Sequence, residues 1–197
     1  ITIENYYDVE NTIFRLNNGE LGYGRDKIKV RKGEFLFIPG GKNVSITFGN
    51  GTPVSLSNDE FITRKEHFFQ SLRHSELVEE TRDSFSYVSF DAKVFDSVNF
   101  FASLDLPAFI IPPQKKIDQL ILTISEEKFK AEPGHERIIK LVSDQLVVEI
   151  IRHVLRHGMF VEQLATNSTY FKDPRLIDIF SYIKDNLNGD LSNKKLA

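Results

Sequence analysis

Three side chains that can bind a metal ion recur at helical spacing in the second half of the chain. Glu149, His153 and His157 follow one another at four-residue intervals, which places them on one face of a helix. Two imidazoles and a carboxylate are sufficient to bind Zn²⁺. However, no Glu lies between the two His residues as it does in the helical zinc-protease motif. A solvated or interface-forming face explains the spacing better, and we expect no metal site.

The composition restricts the remaining chemistry. The 197 residues include no cysteine, which excludes disulfides, thiolate metal sites and a cysteine nucleophile. A net charge of -3 and a pI of about 6.0 give no positive field for phosphates, so this segment alone should not bind DNA specifically. No apolar run approaches the roughly 20 residues that cross a bilayer, and the first residues lack the features of an export signal. We therefore expect a cytoplasmic protein with no membrane contact.

Short apolar or alternating runs separated by Gly and Asn fill residues 13–56 and predict an antiparallel sheet folded into a small β-barrel. Charges alternate with Ile28 and Val30, so these two side chains are predicted to face inward. The same parity turns Phe35 and Phe37 inward, and the next predicted strand contributes a further set of apolar residues. The predicted ligand contacts inside this barrel are Arg15, Tyr23, Phe35, Phe37, Val44, Ile46 and Phe48.

The spacing of apolar residues changes in the middle of the chain. Residues 57–84 fit neither a helix nor a strand pattern and receive no prediction. Strand character returns over residues 87–95, a short helix is predicted over 95–104, and an extended segment bounded by prolines follows. The i, i+3, i+4, i+7 spacing of Ile117, Leu120, Ile121 and Ile124 predicts an amphipathic helix that runs to about Phe129.

A second helix is predicted from about Glu136 to His157, between Pro133-Gly134 and Gly158. Its apolar face is about twice as wide as packing against one surface requires. Another helix or a partner subunit must therefore cover the surplus. We assign the surplus to a homodimer interface formed by Val147, Ile151, Val154 and Leu155.

The last unit is a short helix between a capping Asp173-Pro174 and a terminating Asn188-Gly189. Residues 166–172 form a predicted linker before it. The chain starts without Met and stops in what looks like the first turn of a further helix, so we expect it to be part of a longer protein. The predicted core face of the short helix comprises Leu176, Ile179, Phe180 and Ile183, and Leu191 and Leu196 complete the predicted core after it.

In this order, the units resemble the AraC-type transcription regulators. Residues 173–187, then Leu191-Ser192 and Leu196-Ala197, are similar to the start of that family's helix-turn-helix domain. Residues 33–41 are similar to the Gly-x5-Pro-x-Gly signature of the second cupin motif. The resemblance implies an α+β fold: a cupin-like antiparallel β-barrel and helical dimerisation segment over residues 1–165, the linker, and a truncated helix-turn-helix domain over 173–197.

The resemblance also implies a function. It predicts a homodimer that senses a small-molecule effector and contacts DNA only in the full-length protein, without enzymatic activity. Val44 stands where metal-binding cupins carry a His, so neither a metal nor another cofactor is expected. Two alternatives remain at this point: a metal-independent cupin enzyme and a carrier of small molecules.

Overall fold

Two β-sheets and a pair of long helices make up most of the computed structural model, which describes residues 1–50, 54–69, 83–94 and 98–167. The architecture is mixed α+β, and most strand pairings are antiparallel, as predicted. Most of the predicted linker and the whole helix-turn-helix unit, including Leu176, Ile179, Ile183, Leu191 and Leu196, lie outside the described residues.

The first sheet has the strand order β4-β3-β6-β1-β7. Only its β1–β7 pair is parallel. The strands are β1 (Thr2–Tyr6), β3 (Leu21–Tyr23), β4 (Ile28–Val30), β6 (Val44–Phe48) and β7 (Ser55–Leu56).

The second sheet has the order β11-β5-β2-β8 and is antiparallel throughout. Its strands are β2 (Asn11–Asn18), β5 (Phe35–Ile38), β8 (Ser84–Phe90) and β11 (Phe109–Ile111). The strands β9 (Lys93–Val94) and β10 (Val98–Asn99) form a separate antiparallel pair. The pairings of the described residues leave the two main sheets separate and open.

Both faces of β5 are buried, which is why this strand is apolar at all four positions. Leu36 and Ile38 pack into a core cluster with residues of the first sheet, whereas Phe35 and Phe37 pack into a second cluster with the long helices. The prediction that Phe35 and Phe37 share an interior with Ile46 and Phe48 was therefore wrong. Sequence parity assigns alternate residues to opposite faces but does not identify the face that points to the other sheet.

Strand β4 corrects a second prediction. Val30 is buried, as expected, but Ile28 is 48% exposed although it has the same parity. β4 is an edge strand of only three residues, and Ile28 lies at its outer end opposite the half-buried Tyr23. The part of the first sheet that is covered by other apolar side chains therefore ends before Ile28.

Five helices are described: α1 (Asn58–Phe68), α2 (Phe100–Ser103), α3 (Lys115–Lys130), α4 (His135–Arg156) and α5 (Val161–Asn167). The predictions for α3 and α4 are confirmed to within two residues at each end. The sequence patterns missed α1, which begins with a capping box formed by Ser57 and Glu60. It has no buried residue, so it lacks the apolar periodicity by which a helix is recognised in sequence.

The long helices α3 and α4 lie against each other and cover the outer face of the second sheet. Ile117, Leu120, Ile121 and Ile124 of α3 are buried there, as predicted, together with Leu146, Ile150 and Val154 of α4. Val154 is only 3% exposed and packs in the chain's own core, and its assignment to a dimer interface stays a prediction. None of the helices in the described ranges has the length and apolar character needed to cross a membrane.

Candidate ligand-binding site

Seven aromatic side chains form a continuous cluster between the inner face of the second sheet, the first sheet and α1. Phe14 lies near its centre, with Tyr6, Phe48, Phe85 and Tyr87 at ring-centroid distances of 5.7 to 6.1 Å. Aromatic rings at such distances attract one another beyond simple area burial. We call this group the ring cluster; its members are Tyr6, Phe14, Phe48, Phe61, Phe69, Phe85 and Tyr87.

The ring cluster reaches solvent at one edge of the second sheet. β8 is an edge strand, and its Tyr87 is 51% exposed while it stacks on Phe14 with an interplanar angle of 24°. Phe61, Phe69 and Phe85 are half-buried. Partly exposed rings that continue into a buried core are typical of the mouth of an apolar ligand site.

Helix α1 and Phe69, the residue that follows it, span this edge between the two sheets. α1 packs against β1 and β7 of the first sheet. Phe61 contacts Tyr6 at 6.4 Å between ring centroids, and Phe69 contacts Phe85 of β8 at 5.2 Å. The segment that received no prediction from the sequence thus supplies two rings of the site.

A chain of hydroxyl groups lies beside the ring cluster. The Tyr6 hydroxyl is 3.0 Å from Oγ1 of Thr12, which is 3.3 Å from Oγ of Ser89. Ser89 in turn donates to Oδ2 of Asp8 at 3.2 Å. We call these four residues the hydroxyl relay, and they give the otherwise apolar site a polar side.

Burial raises the pKa of Tyr6 far above that of a free tyrosine. The hydrogen bond with Thr12 opposes this effect, while the charges of Asp8 and Glu10 add to it. Tyr6 therefore stays a neutral phenol at any physiological pH and can act only as a hydrogen-bonding group.

The structure brings together only part of the predicted ligand set. Ile46 and Phe48 are buried in the core cluster that includes Phe14, and the half-buried Tyr23 and Val44 pack against that cluster. Burial also raises the pKa of Tyr23. Phe35 and Phe37 lie on the opposite face of the second sheet. Whether any of these side chains contacts a ligand stays a prediction.

Arg15 lies away from the ring cluster. It forms an ion pair with Asp118 in the first turn of α3, with a second contact of 3.2 Å from its Nη2. It also donates to Asn17. Arg15 alternates with Phe14 along β2 and therefore points to the helix side of the sheet. Its structural role is to join β2 to α3.

Sequence reasoning missed several members of the ring cluster. Phe14 alternates correctly with Ile13 and Arg15, but an almost wholly buried strand gives no contrast between its two faces. In β8, the alternation of Phe85 and Tyr87 with Ser84 and Ser86 was a usable signal.

The candidate metal ligands Glu149, His153 and His157 have other partners. Glu149 pairs with Arg152 at 2.6 Å, and Nδ1 of His153 lies 2.9 Å from Nε2 of Gln114. Nδ1 of His157 lies 2.8 Å from the backbone oxygen of His153. Across the residues that the structure describes, no three His, Asp or Glu side chains are placed to hold a metal ion.

A comparison of the chain with models of known protein families found no match, and a search of curated proteins found none that is significantly similar.

Proposed function

We propose that this chain is the ligand-sensing and dimerisation region of an AraC-type transcription regulator. The observation that best supports the proposal is that the two faces of the second sheet pack against different parts of the chain. One face contributes Phe14, Phe85 and Tyr87 to the ring cluster, and the other supports the helix pair α3–α4. In this proposal the two sheets are the walls of a cupin-like barrel, and an effector binds at the ring cluster.

A single sheet between ligand and helices suggests how an effector acts. A ligand that prefers one arrangement of the sheet shifts the population of that arrangement, and the helices on the other face move with it. The ion pair between Arg15 and Asp118 ties β2 to α3 across this boundary. The shift is limited to the ligand's difference in affinity for the two arrangements.

The outer face of α4 supports the homodimer. Leu141, Val148 and Leu155 recur every seven residues on the side of α4 that faces away from its own core, and Leu141 is 51% exposed. We call these three residues the outward stripe. A seven-residue apolar repeat is typical of a helix that pairs with another helix. Of the interface first predicted, Leu155 belongs to this stripe, whereas Val147 and Ile151 pack partly on the chain's own core.

Light scattering tests the dimer. We expect the wild-type chain to have the mass of a dimer, and Leu141→Glu with Val148→Glu to give a folded monomer because buried carboxylates would face each other. Ile62→Glu, at an exposed apolar position of α1, is the matched control and should stay dimeric. A wild-type monomer at micromolar concentration would contradict the proposal.

DNA binding by the full-length natural protein tests the regulator. We expect it to slow the migration of specific fragments of its own genome in a mobility-shift experiment. Residues 1–167 alone should slow none of them. A metal-independent enzyme or a carrier would share the ligand site but would need no DNA. If the full-length protein binds no DNA specifically, the regulator proposal is wrong.

A further inference from the structure

Exposed cationic side chains from three separate segments meet at one end of the helix pair α3–α4. The turn between β4 and β5 contributes Arg31 and Lys32. The start of α3 contributes Lys115 and Lys116, and the last turn of α4 contributes Arg156. All of these side chains are exposed. We call these five residues the basic strip.

Contacts within the chain hold the three segments together. Gly33, directly after the first pair of cations, lies so close to Pro113 that a Cβ at Gly33 would be 3.7 Å from Cγ of the proline. Gln114, directly before the second pair, bonds His153 of α4 at 2.9 Å. Arg156 is close enough to His153 to influence its charge state electrostatically. The fold therefore fixes the basic strip in position.

Nearby acidic side chains leave most of the strip's charge in place. Asp118 and Glu149 form ion pairs with arginines outside the strip. Oε2 of Glu34 accepts the backbone N–H of Arg31 and offsets part of the charge at that turn. In the described part of the chain, none of the strip's lysines forms an ion pair with a carboxylate. A local positive field thus exists although the whole chain has a net charge of -3.

We infer that the basic strip binds the phosphate backbone of duplex DNA beside the sequence that the full-length regulator recognises. This inference rests on the proposed function and adds a DNA contact made by the sensor region itself. Lysine and arginine side chains bind phosphates by displacing condensed counterions. Phosphates carry no base sequence, so the strip adds affinity without specificity. This agrees with the expectation that residues 1–167 alone slow no specific DNA fragment.

The composition of the strip favours DNA over an anionic membrane surface. Peripheral membrane contacts combine cations with apolar side chains that enter the bilayer surface. The five members of the strip are all cationic, and the exposed Phe129 and Ile138 lie toward the opposite end of the helix pair. A row of phosphates requires only cations, which is what the strip presents.

The salt dependence of DNA binding by the full-length natural protein tests this inference. Each phosphate contact contributes about 0.9 to the slope of log affinity against log salt concentration. Lys115→Gln with Lys116→Gln should therefore lower this slope by about two, and the affinity at about 0.1 M salt by about 50-fold. Arg31→Gln with Lys32→Gln, in a different segment, should lower the slope as much. The ratio of affinities for specific and unrelated duplexes should stay the same in both variants.

Lys128→Gln with Lys130→Gln is the matched control, because it removes the same charge from the opposite end of α3. This variant should keep the wild-type slope. Fluorescence anisotropy of a labelled duplex gives the affinities, and circular dichroism verifies that each variant folds. Sedimentation with vesicles of phosphatidylserine and phosphatidylcholine tests the membrane, and we expect the wild type to stay in solution.

A wild-type slope in both strip variants, an equal fall in the control, or vesicle binding that disappears with Lys115 and Lys116 would each overturn this inference. The proposed function fails separately. Specific DNA binding with an unchanged slope in the strip variants overturns the strip alone. Non-specific DNA binding that weakens in the strip variants, without preference for any fragment, overturns the regulator alone.

Discussion

Gly40, in the loop after β5, lies against the residues that lead into β2 and against Asn99 at the end of β10. Its N–H donates to Oδ1 of the fully buried Asn11 at 3.0 Å, and Nδ2 of Asn11 donates to the carbonyl of Phe90 at 3.2 Å. A Cβ at Gly40 would collide with the backbone oxygen of Val9 and the side-chain amide of Asn99. This position therefore requires glycine for space.

Substitution of two neighbouring glycines separates the two reasons why alanine can lower stability at a glycine position, lack of space and an unfavourable backbone conformation. Gly40→Ala should lower the free energy of unfolding by about 3 kcal/mol, because the extra methyl has no room. Gly41→Ala should cost about 1 kcal/mol, since Gly41 has open space around it and a φ of 77° that disfavours other residues. Urea unfolding measures both. Equal losses would show that the collision at Gly40 is relieved without cost.

His153 joins two elements from a buried position. With Nε2 of Gln114 as the donor, Nδ1 of His153 accepts, and the ring proton lies on Nε2. Burial lowers the pKa of His153 to about 4, and the charges of His157 and Arg156 act in the same direction. Protonation would turn the accepting nitrogen into a second donor that faces the Gln114 amide.

The pKa of His153 predicts a loss of stability in acid. The unfolded chain takes up a proton near pH 6.5 and the folded chain only near pH 4, so the free energy of unfolding falls as the pH falls through this window. From pH 7 to pH 4 this one group contributes a loss of about 3 kcal/mol. His153→Gln should flatten the pH profile of urea unfolding by that amount, whereas His67→Gln should follow the wild type.

At the scale of elements, the sequence predicted the buried face of a helix or strand only where one face alone is buried. The i, i+3, i+4, i+7 spacing in α3 located both the helix and its buried face, because only one face is apolar. β5 and β2 gave no such contrast, since packing covers both of their faces. The candidate site was therefore only partly predicted: Phe48 was identified, whereas Phe14 and the two rings from residues 61–69 depend on tertiary contacts.

A pair of isoleucines tests the assigned faces of α3 and α4. Ile121→Ala should cost about 3 kcal/mol, because Ile121 is fully buried between the helices and the sheet. Ile138→Ala should cost about 0.5 kcal/mol or less, since Ile138 is 41% exposed near the start of α4. Thermal unfolding of the two variants gives the comparison. Similar losses would mean that the face of α4 near Ile138 is also covered.

At the scale of the whole molecule, the core cluster between the second sheet and the long helices extends to Leu164. Phe160 contacts Phe109 at 5.2 Å between ring centroids, and Asn167 donates to the carbonyl of Leu104 at 3.0 Å. These contacts fasten α5 across β11 and α2.

Two truncations test whether the residues after α4 stabilise the helix-side cluster. A chain that ends at Asn167 keeps the whole of α5 and is the reference for the comparison. A chain that ends at Gly158 should melt at a lower temperature, since it loses Met159, Phe160 and Leu164 from the helix-side cluster. Circular dichroism at one protein concentration gives both midpoints. Equal midpoints for the two truncations would mean that α5 contributes nothing.

The order of strands in the second sheet also determines when this protein can fold during synthesis. Asn11 at the start of β2 can form its hydrogen bond with Phe90 only after the 79 residues that separate them have been synthesised. In the same way, β5 can pair with β11 only after β11 has been synthesised. Closing such long loops is slow, and the incomplete sheet presents apolar strands until its partners leave the ribosome. The nascent chain should therefore depend on chaperones until residue 111 has emerged, and α3 and α4 should follow rapidly through their local contacts.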